Sequence, residues 1–325
     1  MKMFINRLKY LKKVVQEANV FFDMSNDPSY ENNRLLGEII RNTHSIEKGL
    51  SLENVRMGFG LSKIQDACGY IDKYHNNGGD MKAAPLFMFR DALSKYLAFH
   101  KEKNFHNQTI DKVSRLVEGL NKTIAASDTV YGGILSFEKP NYTIDEYNAF
   151  VKIVNDRHSL REFDSTPVDR VKLRNAIELA MRCPSACNRQ CYRLYILEHE
   201  DFQLLSDWIG GTGGFDKDLD KLILITGKTS VYKLQEQYQH VVTSSIFAGY
   251  LSLTLQANGI GACVIQRSLF PNKSWNNVKT NLNIPGDEMP VCCIGIGNFK
   301  EVSKAPVSYR LGYDEIVTSI KQHEK

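Results

Sequence analysis

Arg157-His158-Ser159-Leu160-Arg161-Glu162-Phe163 and, further along, Pro184-Ser185-Ala186-Cys187-Asn188-Arg189-Gln190 are the stretches on which the reading of this chain turns. The first puts two arginines and a hydroxyl at the end of an expected helix. The second puts Ser, Asn and Gln just past the next one. Guanidinium forks and hydroxyls suit a dianionic phosphate, through charge-assisted and often bidentate hydrogen bonds; amides and hydroxyls suit the polar edge of a ring. A plainer alternative exists for Arg157 and Arg161, since arginines four apart also form a solvated helix face or pair with neighbours such as Asp156 and Glu162. The residues alone leave both open.

Outward from these stretches, helical and strand patterns alternate. Ile144 to Val154 reads as a helix, Val168 to Arg182 as a helix entered through Pro167, and Tyr192 to Leu197 and Leu219 to Thr226 as strands. Gln235 to Ala257 reads as a long helix ended by Asn258-Gly259, and Ala262 to Gln266 and Val291 to Ile296 as strands. Such alternation predicts an α+β fold, a central sheet flanked by helices. The preceding part is different in character. Leu35, Leu36, Ile39 and Ile40, then Phe87 to Phe99, then Asp111 to Ile124 repeat at helical spacing with almost no strand signal, and Gly132-Gly133 to Pro140-Asn141 reads as a connection. The expected division is a helical region over 1–148 and a second region over 149–325.

Composition bounds the function. The chain has 325 residues, 42% apolar and 24% charged, enough to bury a full core and to hold two domains. Its net charge of +4 comes from 41 basic and 37 acidic residues scattered along the sequence, with no block of like charge to grip nucleic acid. Seven irregularly spaced cysteines read as reduced thiols. The basic N-terminus (Lys2, Arg7, Lys9, Lys12, Lys13) leads into apolar residues broken by Gln16, Glu17 and Asn19, so neither a signal peptide nor a membrane-spanning run is predicted. The expectation is a cytoplasmic protein acting on a small molecule, with neither nucleic acid nor membrane as partner.

The ordered pair of stretches resembles the opening of the nitroreductase family of flavin mononucleotide (FMN) enzymes. The resemblance runs to the C-terminus and leaves the first 148 residues unexplained. It implies a nitroreductase-like sheet and a homodimer in which two subunits build each FMN site. Arg157, His158, Ser159 and Arg161 are then phosphate-side residues, completed by Ser308 and Arg310 of Ser308-Tyr309-Arg310. Pro184, Ser185, Asn188 and Gln190 match the family's Ala-Pro-Ser-x-x-Asn-x-Gln-Pro, whose residues reach the flavin of the opposite subunit. Cys183 stands in place of the alanine, and Cys191 replaces the proline, removing a rigid turn residue. Asn258-Gly259-Ile260-Gly261-Ala262-Cys263-Val264 resembles the family's Gly-Leu-Gly-x-Cys element. Gly261, Gln266 and the loop Ile265-Gln266-Arg267 then run beside the flavin ring, although a helix cap followed by a buried strand explains the same glycines.

The activity this implies is ping-pong two-electron transfer, with NADH or NADPH as donor and an electron-poor organic acceptor. The cofactor carries the chemistry, consistent with the lack of an evident nucleophilic triad. Alternatives are a dedicated biosynthetic flavin dehydrogenase or oxidase, and a non-catalytic partner-binding module on the same scaffold. Cys183, Cys187 and Cys191 lack a Cys-x-x-Cys pair and a fourth ligand, so ordinary thiols are expected rather than a metal. Gly210-Gly211-Thr212-Gly213-Gly214 lacks the preceding strand and following helix of a dinucleotide loop and is expected to be a mobile loop; the resemblance implies that this region can border the substrate opening. In the helical half, Thr43-His44-Ser45-Ile46-Glu47-Lys48 reads either as a capped surface or as a lid presenting His44, Glu47 and Lys48 over the flavin.

Overall fold

Four antiparallel strands, β1 (Tyr192–Glu198), β2 (Lys221–Lys228), β3 (Ile260–Gln266) and β4 (Glu288–Asn298), pair in the order β1-β2-β4-β3. The computed structural model describes residues 2–124, 129–206, 208–209, 214–266 and 273–319. The central strands β2 and β4 are buried almost end to end, and their sequences are accordingly unbroken apolar runs such as Leu222-Ile223-Leu224-Ile225. The pleat sends Ile223 and Ile225 to one face, with Phe247, Leu251 and Leu255. It sends Leu222 and Leu224 to the other, with Trp275 and Val278. Each fully buried Leu, Ile or Phe side chain contributes about 1.5–3 kcal/mol to folding.

The helices that position the sheet are α6 (Ile144–Asp156), α7 (Arg170–Ala180), α8 (Gln239–Ala257) and α9 (Lys273–Asn281), numbered after five in the N-terminal half. Thr143 and Glu146 form a capping box at the start of α6, and Asp169 caps α7 through the N–H groups of Val171 and Lys172. Thr254 on α8 donates to the Ala176 carbonyl on α7 at 2.8 Å. The expected α7 was longer at both ends. Val168 is instead a buried linker whose N–H binds the Asp220 carboxylate at 2.9 Å, and its neighbour Pro167 keeps the chain extended. The expected helix from Gln235 is likewise split into a short 3₁₀ turn, Leu234–Glu236, and α8 proper.

The N-terminal half is α1 (Lys2–Asn26), α2 (Glu31–Leu50), α3 (Leu61–Asn76), α4 (Ala84–Glu102) and α5 (Gln108–Thr123). Leu35, Ile39, Ile46, Ile64, Phe89, Leu93 and Val113 share a core of their own. α1 and α3 were not singled out in the sequence, and the connection from Thr129 to Tyr142 contains neither helix nor strand. The contacts that dock this half onto the sheet domain include a ring stack, a hydrogen bond and a close backbone approach. Phe21 stacks on His240 with ring centroids 5.9 Å apart, Asn33 donates to Asp287 at 3.1 Å, and α2 lies so close to Val231 that a Cβ on Gly37 would fall 2.6 Å from its carbonyl oxygen.

Two elements of the sheet domain are largely exposed in this chain. α6 has no buried residue although Ile144, Tyr147, Phe150 and Val154 recur along one stripe, and residues 301–319 are exposed throughout. Among the described residues, no helix is long and apolar enough to cross a membrane.

Candidate functional site

The Arg157 stretch is seated on the edge strand. Arg157 caps α6 and is half-buried, His158 is exposed, and Ser159 forms a parallel bridge with Ala262 of β3, where the Leu160 N–H donates to the Ala262 carbonyl at 3.0 Å. Leu160 and Phe163 are buried, and Gly261 explains how they fit. A Cβ there would fall 2.9 Å from Leu160 and 3.1 Å from Phe163, so the missing side chain is the seat of the Arg157–Phe163 segment. Arg161 is exposed and donates weakly to the Ser159 carbonyl at 3.4 Å.

At its other end β3 opens onto a cavity of about 360 Å³, in the range of small-molecule sites. Because side chains alternate, Cys263 and Ile265 enter the core while Val264 and Gln266 face outward and line this cavity, opposite Val241, Ser245 and Gly249 of α8. From Ala262 to Gln266 the strand advances roughly 13 Å. The edge strand therefore carries a hydroxyl and arginine group at one end and a half-apolar cavity with a terminal amide at the other. Cys292 on the cavity wall is a neutral thiol, since burial pushes its pKa up to about 12.

The Pro184–Gln190 stretch forms a tight turn against α8, where the Ala186 N–H reaches the Thr243 hydroxyl at 3.4 Å. Cys187, Asn188 and Gln190 adopt φ of 51°, 58° and 43°, a left-handed backbone that costs non-glycine residues on the order of 1 kcal/mol each. Ser185 answers part of this by accepting the Gln190 N–H at 3.2 Å, and the Gln190 amide donates to that of Asn188 at 3.1 Å. Pro184 and Gln190 are exposed. Cys191 is fully buried beside His240 and Ser244, which rationalises an apolar thiol where a proline was expected. Cys183 is also buried, Cys187 is part-exposed, and all seven cysteines are free; among the described residues, no group of three or more His, Cys, Asp or Glu side chains is placed to hold a metal.

Among the described residues, no hydrogen bond or ion pair joins the two halves of the expected phosphate clamp within this chain. Ser308 and Arg310 lie on the exposed 301–319 segment, where the hydrogen bond given for Arg310 is to the Ser308 carbonyl at 2.8 Å. Gly210 to Gly213 and Arg267 lie outside the described residues. The polar run on α2 does structural work: the Glu47 carboxylate accepts the Gly133 N–H at 2.9 Å and so ties the connection to the helical half, while burial raises its pKa. Nearby, Phe59 packs on Tyr96 and His100, and Gly58 donates to His100 at 3.0 Å.

Sequence reasoning missed the roots of the turn. Arg189 is buried, stacks 4.3 Å over Tyr232 and forks onto Glu236. Arg189 stood inside the quoted motif, but its partner lies 47 residues away in a stretch with no chemical signature.

Fold and geometry together define an α+β domain with a cavity beside its edge strand. Residues 154–241 match the family model described as the Nitroreductase family. Among solved structures, an FMN-dependent nitroreductase from Clostridium difficile is 22% identical, with 53% of this chain and 99% of that one covered and a TM-score of 0.45. A nitroreductase family protein from Streptococcus pneumoniae is also 22% identical, covering 53% and 100%, with a TM-score of 0.44. No curated protein matches the chain.

Proposed function

We propose that the chain is an FMN-dependent oxidoreductase that takes two electrons from NADH or NADPH and passes them to an electron-poor organic acceptor. The observation that carries this reading is the edge strand: Ser159 and Arg157, within the stretch that matches the Nitroreductase family model, at one end of β3 and the Gln266 cavity at the other. The residues fit the group. Arg157 and Ser159 supply charge and hydroxyl for a phosphate, the Val264 and Val241 surfaces suit a flat apolar ring, and Gln266, joined by Asn188 and Gln190 from a second copy, suits its polar edge. When bound, FMN supplies the hydride chemistry. The chain holds and orients it, and the strand and α8 wall shield one face from water. Donor and acceptor use the same opening in turn.

A second copy of the chain completes the site in this reading. The α6 stripe and the 301–319 segment bearing Ser308 and Arg310 are largely exposed in their own chain, as expected of surfaces that a partner covers. Anaerobic mixing of the FMN-loaded protein with NADH or NADPH should bleach the flavin band, and a quinone or nitroaromatic should restore it. A flavin that stays oxidised with both nicotinamides contradicts the reductase reading.

A further inference from the structure

Resting on the FMN reading, we propose that Arg189 is the positioning residue of the Ser185–Gln190 turn and that Glu236, supported by Arg41 and Glu38 of α2, is its anchor. The turn holds three non-glycine residues at left-handed φ, so its shape is not one the local sequence prefers. Something outside it must over-determine that shape, and every polar contact of the Arg189 guanidinium does so. It donates to the Ala186 carbonyl at 3.3 Å within the turn, to the Val231 carbonyl at 3.0 Å and to both carboxylate oxygens of Glu236, with no exposed side-chain surface. The planar fork matches a carboxylate and stacks on Tyr232, a geometry that lysine cannot reproduce.

The anchor continues into the N-terminal half. Burial pushes the Glu236 carboxyl up, but the hydrogen bonds from Arg189 and the Lys233 N–H, with the charges of Arg189 and Arg41, hold it below its ordinary value. Arg41 pairs with Glu38 at 2.5 Å, and Glu38 pairs with Lys233 at 3.1 Å. Charges therefore alternate from the turn through Glu236 into α2. The helical half thus sets how firmly the turn is held, and this gives the N-terminal extension a role toward the flavin edge that does not require His44 or Glu47 to touch it.

The test uses the full-length chain with and without FMN, in Arg189→Lys, Glu236→Gln and Arg41→Gln variants. Without flavin, alkylation of Cys187, located by peptide mass, reports the turn directly; with flavin, affinity and the visible absorption bands report the ring edge. Arg189→Lys and Glu236→Gln should each speed Cys187 alkylation and weaken FMN about tenfold or more, with displaced flavin bands, and their double variant should be no worse than either alone. Arg41→Gln should move the same readouts in the same direction, more weakly. Wild-type alkylation rates in both Arg189→Lys and Glu236→Gln would overturn the proposal whether or not flavin binds. A wild-type chain that takes up no FMN, with alkylation still faster in the variants, would instead overturn the FMN reading alone.

Discussion

His240 is a side chain whose chemistry the fold has inverted. It sits 6% exposed under Phe21 of α1, and burial lowers its pKa from an ordinary 6.5 to about 4. The unfolded chain takes up a proton below pH 6.5 that the folded chain refuses until about pH 4, so this residue's contribution is complete above pH 6.5 and is lost as pH falls toward 4. The loss is at most about 3 kcal/mol. Urea unfolding from pH 7 to 4.5 should show that slope, and His240→Gln should flatten it; parallel slopes in the two proteins would remove His240 as the cause. Residue-scale chemistry was legible where it was local: Arg157 and Ser159 are two positions apart, and the bridge to Ala262 puts them on the strand end. His240 and Glu236 carried no signal, because what shifts them arrives from α1, α2 and the turn.

Among elements, α6 shows a sequence pattern and a packing that disagree within one chain. Its capping box secures the helix without tertiary help, and its stripe of Ile144, Tyr147, Phe150 and Val154 then lies in solvent, with Phe150 59% exposed. α8 repeats the feature with Tyr238, Val242, Ile246 and Tyr250. If a second copy covers α6, Phe150→Glu forfeits roughly 2–3 kcal/mol of association, about thirty- to a hundred-and-fiftyfold in dimer affinity. Light scattering should then show the wild-type dimer mass falling toward that of the monomer, with FMN affinity falling alongside. A monomeric wild type, or a variant with unchanged mass and affinity, would discard the idea. The strands were readable because β2 and β4 are unbroken apolar runs. α3 was not, since Ile64, Ala67, Ile71 and Tyr74 have helical spacing but are interrupted by Cys68 and Gly69, and α1 was not, since most of its apolar residues bury nothing.

At the scale of the molecule, the chain is a helical half pressed onto a sheet domain that carries the site. The alternation of helices and strands after Arg157 was legible because it depends on short-range spacing. The docking of α2 on the 186–188 turn was not, since it rests on Gly37 admitting the Val231 carbonyl and on ion pairs between residues far apart in sequence. The same limit applies to Ser308 and Arg310, whose motif was readable while their surroundings were not: both lie exposed on residues 301–319, and only in the proposed dimer do they face Arg157. If the chain holds FMN as proposed, parallel titration of FMN and FAD into the flavin-free full-length chain separates the two flavins. FMN should saturate at one per chain with at least about tenfold higher affinity than FAD, because an adenylate attached to the phosphate removes charge that Arg157 and Ser159 are placed to meet. Preferred binding of FAD, or no uptake of either flavin, would contradict the account.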